Sequence, residues 1–452
     1  MAALRRLPYP NVLLIAAAAI AAALLACAVA RTLLWTYGAD TGTFAIAIWN
    51  VPHAMYDPFE NGSHFRYHFS PILALLYPLL ALTRSILVLQ AVQVVLVVAT
   101  VFPYYALVEP HLGRALALRC ALIALFYPPL IGLAFSEFHE LAFAPLLTML
   151  VLLFAQNRRW VAYGLCALML ICVREDVALI AAIFAVIAAI VSFKSGDRER
   201  VIAFAATAAV AAFAVSFYFL ALIPRLGGWP PHSFYAYPFQ QGLAAVAQQL
   251  FTFPRFTYFL ESVVPLALLP LLTRWFALAV PGLVIVLAAN SGIVYRMGMH
   301  YVALWLPWML VAAAASVGFL QNRYGETIAR RWANTALALC VAFLIFFDPA
   351  HPLHYLTPRY HDLAAVARVI GCAPQGALLA THDEWYAGLA LTHPNVTIGM
   401  SKDAKYYLFA DDYANGVFET TQLPALRRDI ANGSLVEICR DHHVAVYRRT
   451  GK

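Results

Sequence analysis

Tyr37-Gly38-Ala39-Asp40-Thr41-Gly42-Thr43-Phe44, continuing through Trp49-Asn50 to His64-Phe65-Arg66-Tyr67-His68-Phe69-Ser70-Pro71, is a polar stretch in a chain that is 63% hydrophobic and 12% charged. It also carries His53, Asp57 and Glu60, and it directly follows an apolar run from Asn11 to Ala30. A polar loop so rich in ionisable groups, leaving the first of many apolar runs, sets the reading of everything after it.

A chain of 452 residues with this composition has too little polar sequence to cover itself in water. Apolar runs of about 15 to 24 residues recur along it, near the length that crosses a hydrocarbon core. The expectation is an all-α polytopic membrane protein. The first run follows Arg5 and Arg6, which suits a signal peptide, but many spans follow, so it is expected to be retained as the first span. The formal charge of +7 comes from short basic clusters between apolar runs, the positive-inside pattern. No basic stripe suits a nucleic acid, so the expected partner is the lipid bilayer. Cys27, Cys120, Cys166, Cys172 and Cys340 lie in or beside apolar runs and read as packing residues.

Eleven spans are expected, at 11–31, 87–108, 117–135, 141–156, 160–173, 177–193, 201–223, 259–273, 275–290, 301–320 and 332–347. With the N-terminus inside, Arg5/Arg6, Arg114/Arg119, Arg158/Arg159, Lys194/Arg198/Arg200, Arg274 and Arg323/Arg330/Arg331 fall on one face. The segment from Pro71 to Leu82 is short and holds Pro71 and Pro78. A crossing there would put Arg158/Arg159 outside, so it is read as a juxtamembrane or re-entrant helix of the first outer loop. The outer loops then collect 36–70, Ser136 to Glu140, Arg174-Glu175-Asp176, the aromatic Pro224 to Tyr258 loop with Trp229, Phe234, Tyr235, Tyr237 and Phe239, and Asn290 to Tyr301.

Residues 1–348 therefore form a transmembrane domain, and residues 349–452 a small soluble α/β domain on the extracytoplasmic side. In the latter, helices are expected at Asp362 to Ile370, His382 to Leu391 and Leu423 to Ile430. Strands are expected at Gly376 to Thr381, Val396 to Met400, Lys405 to Ala410, and Leu435 to Cys439 paired with Val444 to Arg448. An oxidising compartment would allow Cys372 and Cys439 to form a disulfide.

Tyr37 to Phe44 with Trp49-Asn50, His68-Phe69-Ser70-Pro71-Ile72, Phe138-His139-Glu140, Arg174-Glu175-Asp176, His300-Tyr301 and the terminal α/β unit together resemble the bacterial membrane proteins of domain of unknown function 2079. That family in turn resembles the GT-C glycosyltransferases. The resemblance implies a GT-C-like fold and a sugar donor carried on polyprenyl phosphate. It also implies an acidic residue at the reacting centre in the first outer loop, where this chain has Asp40. Relatives of that fold such as protein mannosyltransferases usually carry an Asp-Glu pair where this chain has Asp40-Thr41.

Sugar transfer from a phosphate-linked donor needs a base for the acceptor proton and groups that hold the leaving phosphate. Asp40 is the favoured base; Asp-Thr-Gly is also good turn or helix-cap chemistry. His64, Arg66 and His68 alternate, which on an extended segment puts them on one face. Arg66 and His68 then suit phosphate, and His64, His68 and Glu137 are the weak metal candidates, with Mg or Mn the ions such oxygen and imidazole donors would take. Glu137, His139, Glu140, Arg174 and Glu175 sit at span ends, where ionisable groups turn inward or pair. Arg296, His300 and Tyr301 precede a span at lipid-headgroup depth and join the substrate-binding set. No Walker loop, Rossmann fingerprint, zinc motif or nucleophile elbow occurs, so no nucleotide cofactor is expected. His382-Asp383-Glu384 reads as a helix start.

The sequence thus points to a glycosyltransferase of the bacterial cytoplasmic membrane that moves a sugar from a polyprenyl-phosphate carrier to an unidentified acceptor at the outer face. The rival readings are a non-enzymatic carrier or flippase for a lipid-linked substrate, using the same charged cavity without a base, and a scaffold for envelope assembly.

Overall fold

The computed structural model describes residues 9–228, 242, 244, 247–346, 352–356, 363–411 and 422–450. Trp229, Phe234, Tyr235, Tyr237 and Phe239 of the expected aromatic loop lie outside them. The chain is mostly helical. In order come α1 (Asn11–Leu33), α2 (Ala39–Trp49), α3 (Tyr77–Thr83), α4 (Leu87–Ala99), α5 (Val101–Phe126), α6 (Pro128–Phe135) and α7 (Phe143–Gln156). They are followed by α8 (Trp160–Ile171), α9 (Glu175–Lys194), α10 (Arg198–Phe217), α11 (Phe253–Val263), α12 (Val280–Leu287), α13 (Leu306–Tyr324) and α14 (Glu326–Phe346).

Five segments among the described residues are long and apolar enough to cross a membrane: Asn11–Leu33, Leu87–Phe126, Glu175–Lys194, Arg198–Arg225 and Glu326–Phe346. A helix satisfies its own backbone donors and acceptors, which is what hydrocarbon demands. The expected spans at 259–273 and 275–290 are broken into α11, two 3-10 turns (Leu269–Leu272 and Arg274–Leu278) and α12. Pro265, Pro270 and Pro281 fall in this stretch, and each removes a backbone N–H from the helical ladder. Pro71–Leu76 makes a 3-10 turn leading into α3, and the resulting Pro71–Thr83 helix is too short to cross. Within α5, Gly113 adopts φ 72° and ψ 163°, so this element is two helices joined at a kink.

Two compact units emerge. One gathers the described residues of Met1–Ala26, Phe65–Leu73 and Ala91–His351; the other those of Cys27–His64, Ala74–Gln90 and Pro352–Lys452. In the first, the transmembrane unit, α9 opens on Glu175 and Asp176 and closes on Lys194, charges that complement the helix dipole at both ends. The Tyr104 hydroxyl donates to the Leu310 carbonyl at 2.8 Å, tying α5 to α13, and the buried Trp305 indole donates to the Tyr258 hydroxyl at 2.9 Å.

In the second unit, a two-residue-per-strand hairpin, β1 (Tyr56–Asp57) and β2 (Gly62–Ser63), accompanies α2 and α3. A five-stranded sheet follows, built from β3 (Leu379–Thr381), β4 (Val396–Ile398), β5 (Tyr406–Ala410), β6 (Leu435–Asp441) and β7 (Val444–Arg449). Its order is β4-β3-β5-β7-β6. β3 runs parallel to β4 and β5, while β7 is antiparallel to β5 and β6. Tyr407, Leu408, Phe409 and Val446 are buried in it. Helices α15 (Leu363–Val369), α16 (Asp383–Leu389) and α17 (Leu423–Ala431) complete the α/β part. Cys372 and Cys439 are joined by a disulfide.

The first polar stretch is more ordered than a loop. Every residue of α2 from Thr41 to Ile48 is buried, so this helix is enclosed on all sides. Burial overrides the weak helix propensity of its Asp-Thr-Gly-Thr start.

Candidate functional site

In the transmembrane unit, ionisable side chains from four separate segments converge at the N-terminus of α9. Arg174 is extended (φ −166°, ψ 157°) and immediately precedes the helix. Its Nε donates to Asp176 Oδ1 at 2.9 Å and Oδ2 at 3.0 Å, and its Nη1 lies 3.6 Å from Glu140 Oε1. The Asp176 carboxylate also takes the Val177 N–H at 2.7 Å. Glu175 holds His68 Nδ1 at 3.0 Å with one oxygen and accepts the Phe69 N–H at 2.9 Å with the other.

The second half of the cluster is aromatic. Glu140 Oε2 is 2.8 Å from His139 Nδ1. The His139 ring stacks on His300 with centroids 3.4 Å apart and planes 19° apart. Tyr301 lies 4.1 Å from His300, and the Arg174 guanidinium sits 5.4 Å from the Tyr301 ring centre. Burial above all, with help from neighbouring His139 and Arg174, holds His300 well below the usual histidine range. Two carboxylates, of Glu140 and Asp176, share the Arg174 guanidinium while Glu175 is taken by His68 and the Phe69 N–H, an arrangement that favours protons or cationic groups over a bare phosphate.

Gln93 of α4 holds the His139 turn in place. Its Oε1 accepts the His139 N–H at 2.9 Å, and its Nε2 donates to the carbonyls of Leu133 at 3.0 Å, Ser136 at 3.0 Å and Glu137 at 3.1 Å. Two glycines clamp the segment carrying His300 and Tyr301. A Cβ on Gly132 would stand 3.1 Å from Gly298 Cα, and one on Gly282 would stand 2.9 Å from Trp305 N. The sequence reading missed Gln93, although a lone amide in the apolar run Ala91 to Val98 was a usable signal.

The structure thus brings together His68, His139, Glu140, Arg174, Glu175, His300 and Tyr301, and adds Asp176. Half-buried Glu137 gives the Gln93 knot its carbonyl, and Arg296 is exposed. The expected extended face over His64, Arg66 and His68 is not formed. His64–Arg66 is a 3-10 turn, so alternate residues do not share a face. Arg66 donates its Nε to the Gly228 carbonyl at 2.9 Å. His64 belongs to the second unit, where its Nδ1 lies 3.0 and 3.1 Å from the Glu60 oxygens and its ring meets Phe44 edge-on at 5.1 Å. Among the described residues, no group of three or more His, Cys, Asp or Glu is disposed to hold a metal ion.

In the second unit, Asp40 is the second residue of α2, in the first turn beyond the N-cap Gly38. A carboxylate there is favoured in its charged form by the helix dipole. Next to it, Thr41 accepts from Gln90 Nε2 at 3.1 Å, and Gly42 packs on the ring of Tyr386 from α16. The Tyr386 hydroxyl donates to Asp57 at 3.0 and 3.2 Å. Burial first, then the neighbouring Glu60 charge, pushes Asp57 up to about 7. His382, expected to start a helix, does precede α16, and its Nε2 accepts the Ala410 N–H at 2.9 Å.

No curated protein matches the sequence. Among solved structures, the chain is similar to ArnT from Cupriavidus metallidurans bound to undecaprenyl phosphate, at 12% identity, over 95% of this chain and 98% of that one, with a TM-score of 0.57. It is similar to the same protein in the apo state at 12% identity, over 94% and 97%, with a TM-score of 0.53. An oligosaccharyltransferase from Archaeoglobus fulgidus, in complex with Zn and sulfate, aligns at 13% identity over 94% and 73% with a TM-score of 0.39, which by itself establishes no common fold. At such identities the likeness establishes the fold alone, which the chain shares with ArnT. Residues 32–369, three quarters of the chain, match the model of the predicted membrane protein family DUF2079, and the chain belongs to that family.

Proposed function

We propose that this chain is a membrane glycosyltransferase that moves a sugar from a polyprenyl-phosphate carrier to an acceptor at the outer face of the cytoplasmic membrane. The observation that carries the reading is the fold likeness to undecaprenyl phosphate-bound ArnT over 95% of the chain. In this reading the chain crosses the membrane eleven times with its N-terminus inside. Residues 349–452 then form an extracytoplasmic domain that helps select the acceptor.

Asp40 is the base. It takes the acceptor hydroxyl proton as that oxygen attacks the anomeric carbon, and the bond from that carbon to the phosphate oxygen breaks with its electron pair leaving on the polyprenyl phosphate. A first-turn aspartate suits this work, because the helix N-terminus favours negative charge there. Arg66 and Arg296 are assigned to the donor phosphate; neither is held by a carboxylate among the described residues. His68, Glu137, His139, Glu140, Arg174, Glu175, His300 and Tyr301 are assigned to shaping the substrate site, since a guanidinium already held by two carboxylates is a poor phosphate receptor.

The test is complementation of a deletion strain. Asp40→Asn, Arg66→Ala and Arg296→Ala should each abolish it. If Asp40→Asn complements while the arginine variants do not, the transferase reading fails and a carrier without a base is favoured. A reporter fused after Lys452 that proves cytoplasmic would overturn the assigned orientation.

A further inference from the structure

Helix α2 and Trp35 just before it pack on α16 of the same unit at two glycines. A Cβ on Gly42 would collide with the Tyr386 ring and stand 3.2 Å from Ala387 Cα, while one on Gly388 would stand 2.6 Å from Trp35 Cε3. Contacts this close admit no larger side chain without moving the helices apart. Between them the fully buried Tyr386 hydroxyl donates to Asp57 at 3.0 Å and hydrogen-bonds the side chain of Thr43. Thr43 is three residues beyond Asp40, the spacing that shares a helix face. Phe59 closes the other side of the Tyr386 ring at 5.7 Å.

We infer that Tyr386, clasped by Asp57 and Thr43, is a positioning residue for Asp40, so that the C-terminal α/β part is a working component of the reaction site. The inference rests on the reading of Asp40 as the base. Tyr386 lies 17 residues beyond the end of the family match at 369, so this chain supplies the clasp from sequence outside that match. Asp57 faces Glu60 and His64 from its own loop and Tyr386 from α16. Because burial and Glu60 raise its folded value to about 7, the folded unit binds a proton that the unfolded chain has released. The stability this contributes is fully present below the unfolded carboxylate range and is lost as pH rises through about 7. The unit that carries the clasp is therefore less stable above pH 7 than in the carboxylate range, although the ionised Asp57 is the stronger acceptor for the Tyr386 hydroxyl.

Hydrogen exchange of residues 39–49 in the full-length protein, read by mass spectrometry beside sugar transfer in proteoliposomes, tests this. Tyr386→Phe keeps the ring on Gly42 and removes only the hydroxyl. It should speed exchange of 39–49 and lower kcat about tenfold, the effect of one lost hydrogen bond, with KM within about twofold. Asp57→Asn should fold, keep an acceptor for Tyr386 and flatten the loss of protection, beyond the intrinsic pH dependence of exchange, between roughly pH 4 and 7. Unchanged exchange in Tyr386→Phe overturns the clasp. Faster exchange with unchanged kcat leaves the clasp merely structural and overturns the positioning role. The expected exchange pattern in a wild type that transfers no sugar overturns the glycosyltransferase reading while the clasp itself stands.

Discussion

His139 and His300 lie ring on ring inside the transmembrane unit, 3.4 Å apart and 19° from parallel. Two imidazoles in that contact repel each other if both are charged, and burial already holds His300 neutral. The neutral His300 ring therefore lies flat on His139, which is 2.8 Å from Glu140 Oε2, and the Arg174 guanidinium stands against the buried carboxylates of Asp176 and Glu140.

That pairing makes Arg174 the residue the unit can least spare. Arg174→Met strands the buried carboxylates of Asp176 and Glu140 and should cost about 3 to 5 kcal/mol. Adding Asp176→Asn should recover part of the loss. Thermal unfolding in detergent reads both; a single variant as stable as wild type would show that the cluster holds no buried charge.

The two glycine contacts predict a sharp contrast between positions. Gly132→Val and Gly282→Val must push into the backbone of the 297–305 segment and should each cost about 1 to 3 kcal/mol or more. Gly164→Ala, with nothing within 4 Å, should be neutral or stabilising by about 0.5 to 1 kcal/mol. Equal effects at all three positions in the same unfolding measurement would refute the clamp.

A pH response is expected from the α/β part. His382 accepts the Ala410 N–H through Nε2 at 2.9 Å, which requires a neutral ring, and burial lowers its folded pKa well below the usual value. The unfolded chain then binds the extra proton, so this stability is present above about pH 6.5 and drains away as pH falls below it. Exchange protection of the Ala410 amide should drop between roughly pH 7.5 and 5, and less so in His382→Gln. Flat protection over that range would mean that the imidazole is not the acceptor.

Hydropathy and period-two patterning made the helical membrane class, the short Pro71–Thr83 helix and the terminal strands legible. The strands expected at Leu435 to Cys439 and Val444 to Arg448 pair as antiparallel β6 and β7. Helix α2 reads as a loop in the sequence because Asp-Thr-Gly-Thr is turn chemistry locally, and burial makes it helical. Most members of the charged cluster are visible one by one in the sequence, but their partnerships are not. His68 and Glu175 stand 107 residues apart, and Asp57 and Tyr386 stand 329 apart. No spacing rule reaches across such separations, since those contacts are set by tertiary packing and not by local period. The proline-broken stretch between 259 and 290 shows the reverse failure, where apolar composition suggested continuity that the missing backbone donors interrupt.

The central claim is tested most directly by sugar release from radiolabelled polyprenyl-phosphate donors in proteoliposomes of the purified full-length protein, run with and without EDTA. The account predicts transfer by the wild type and a loss of about a hundredfold or more in Asp40→Asn, the scale of a missing general base. Transfer by Asp40→Asn at the wild-type rate would contradict it.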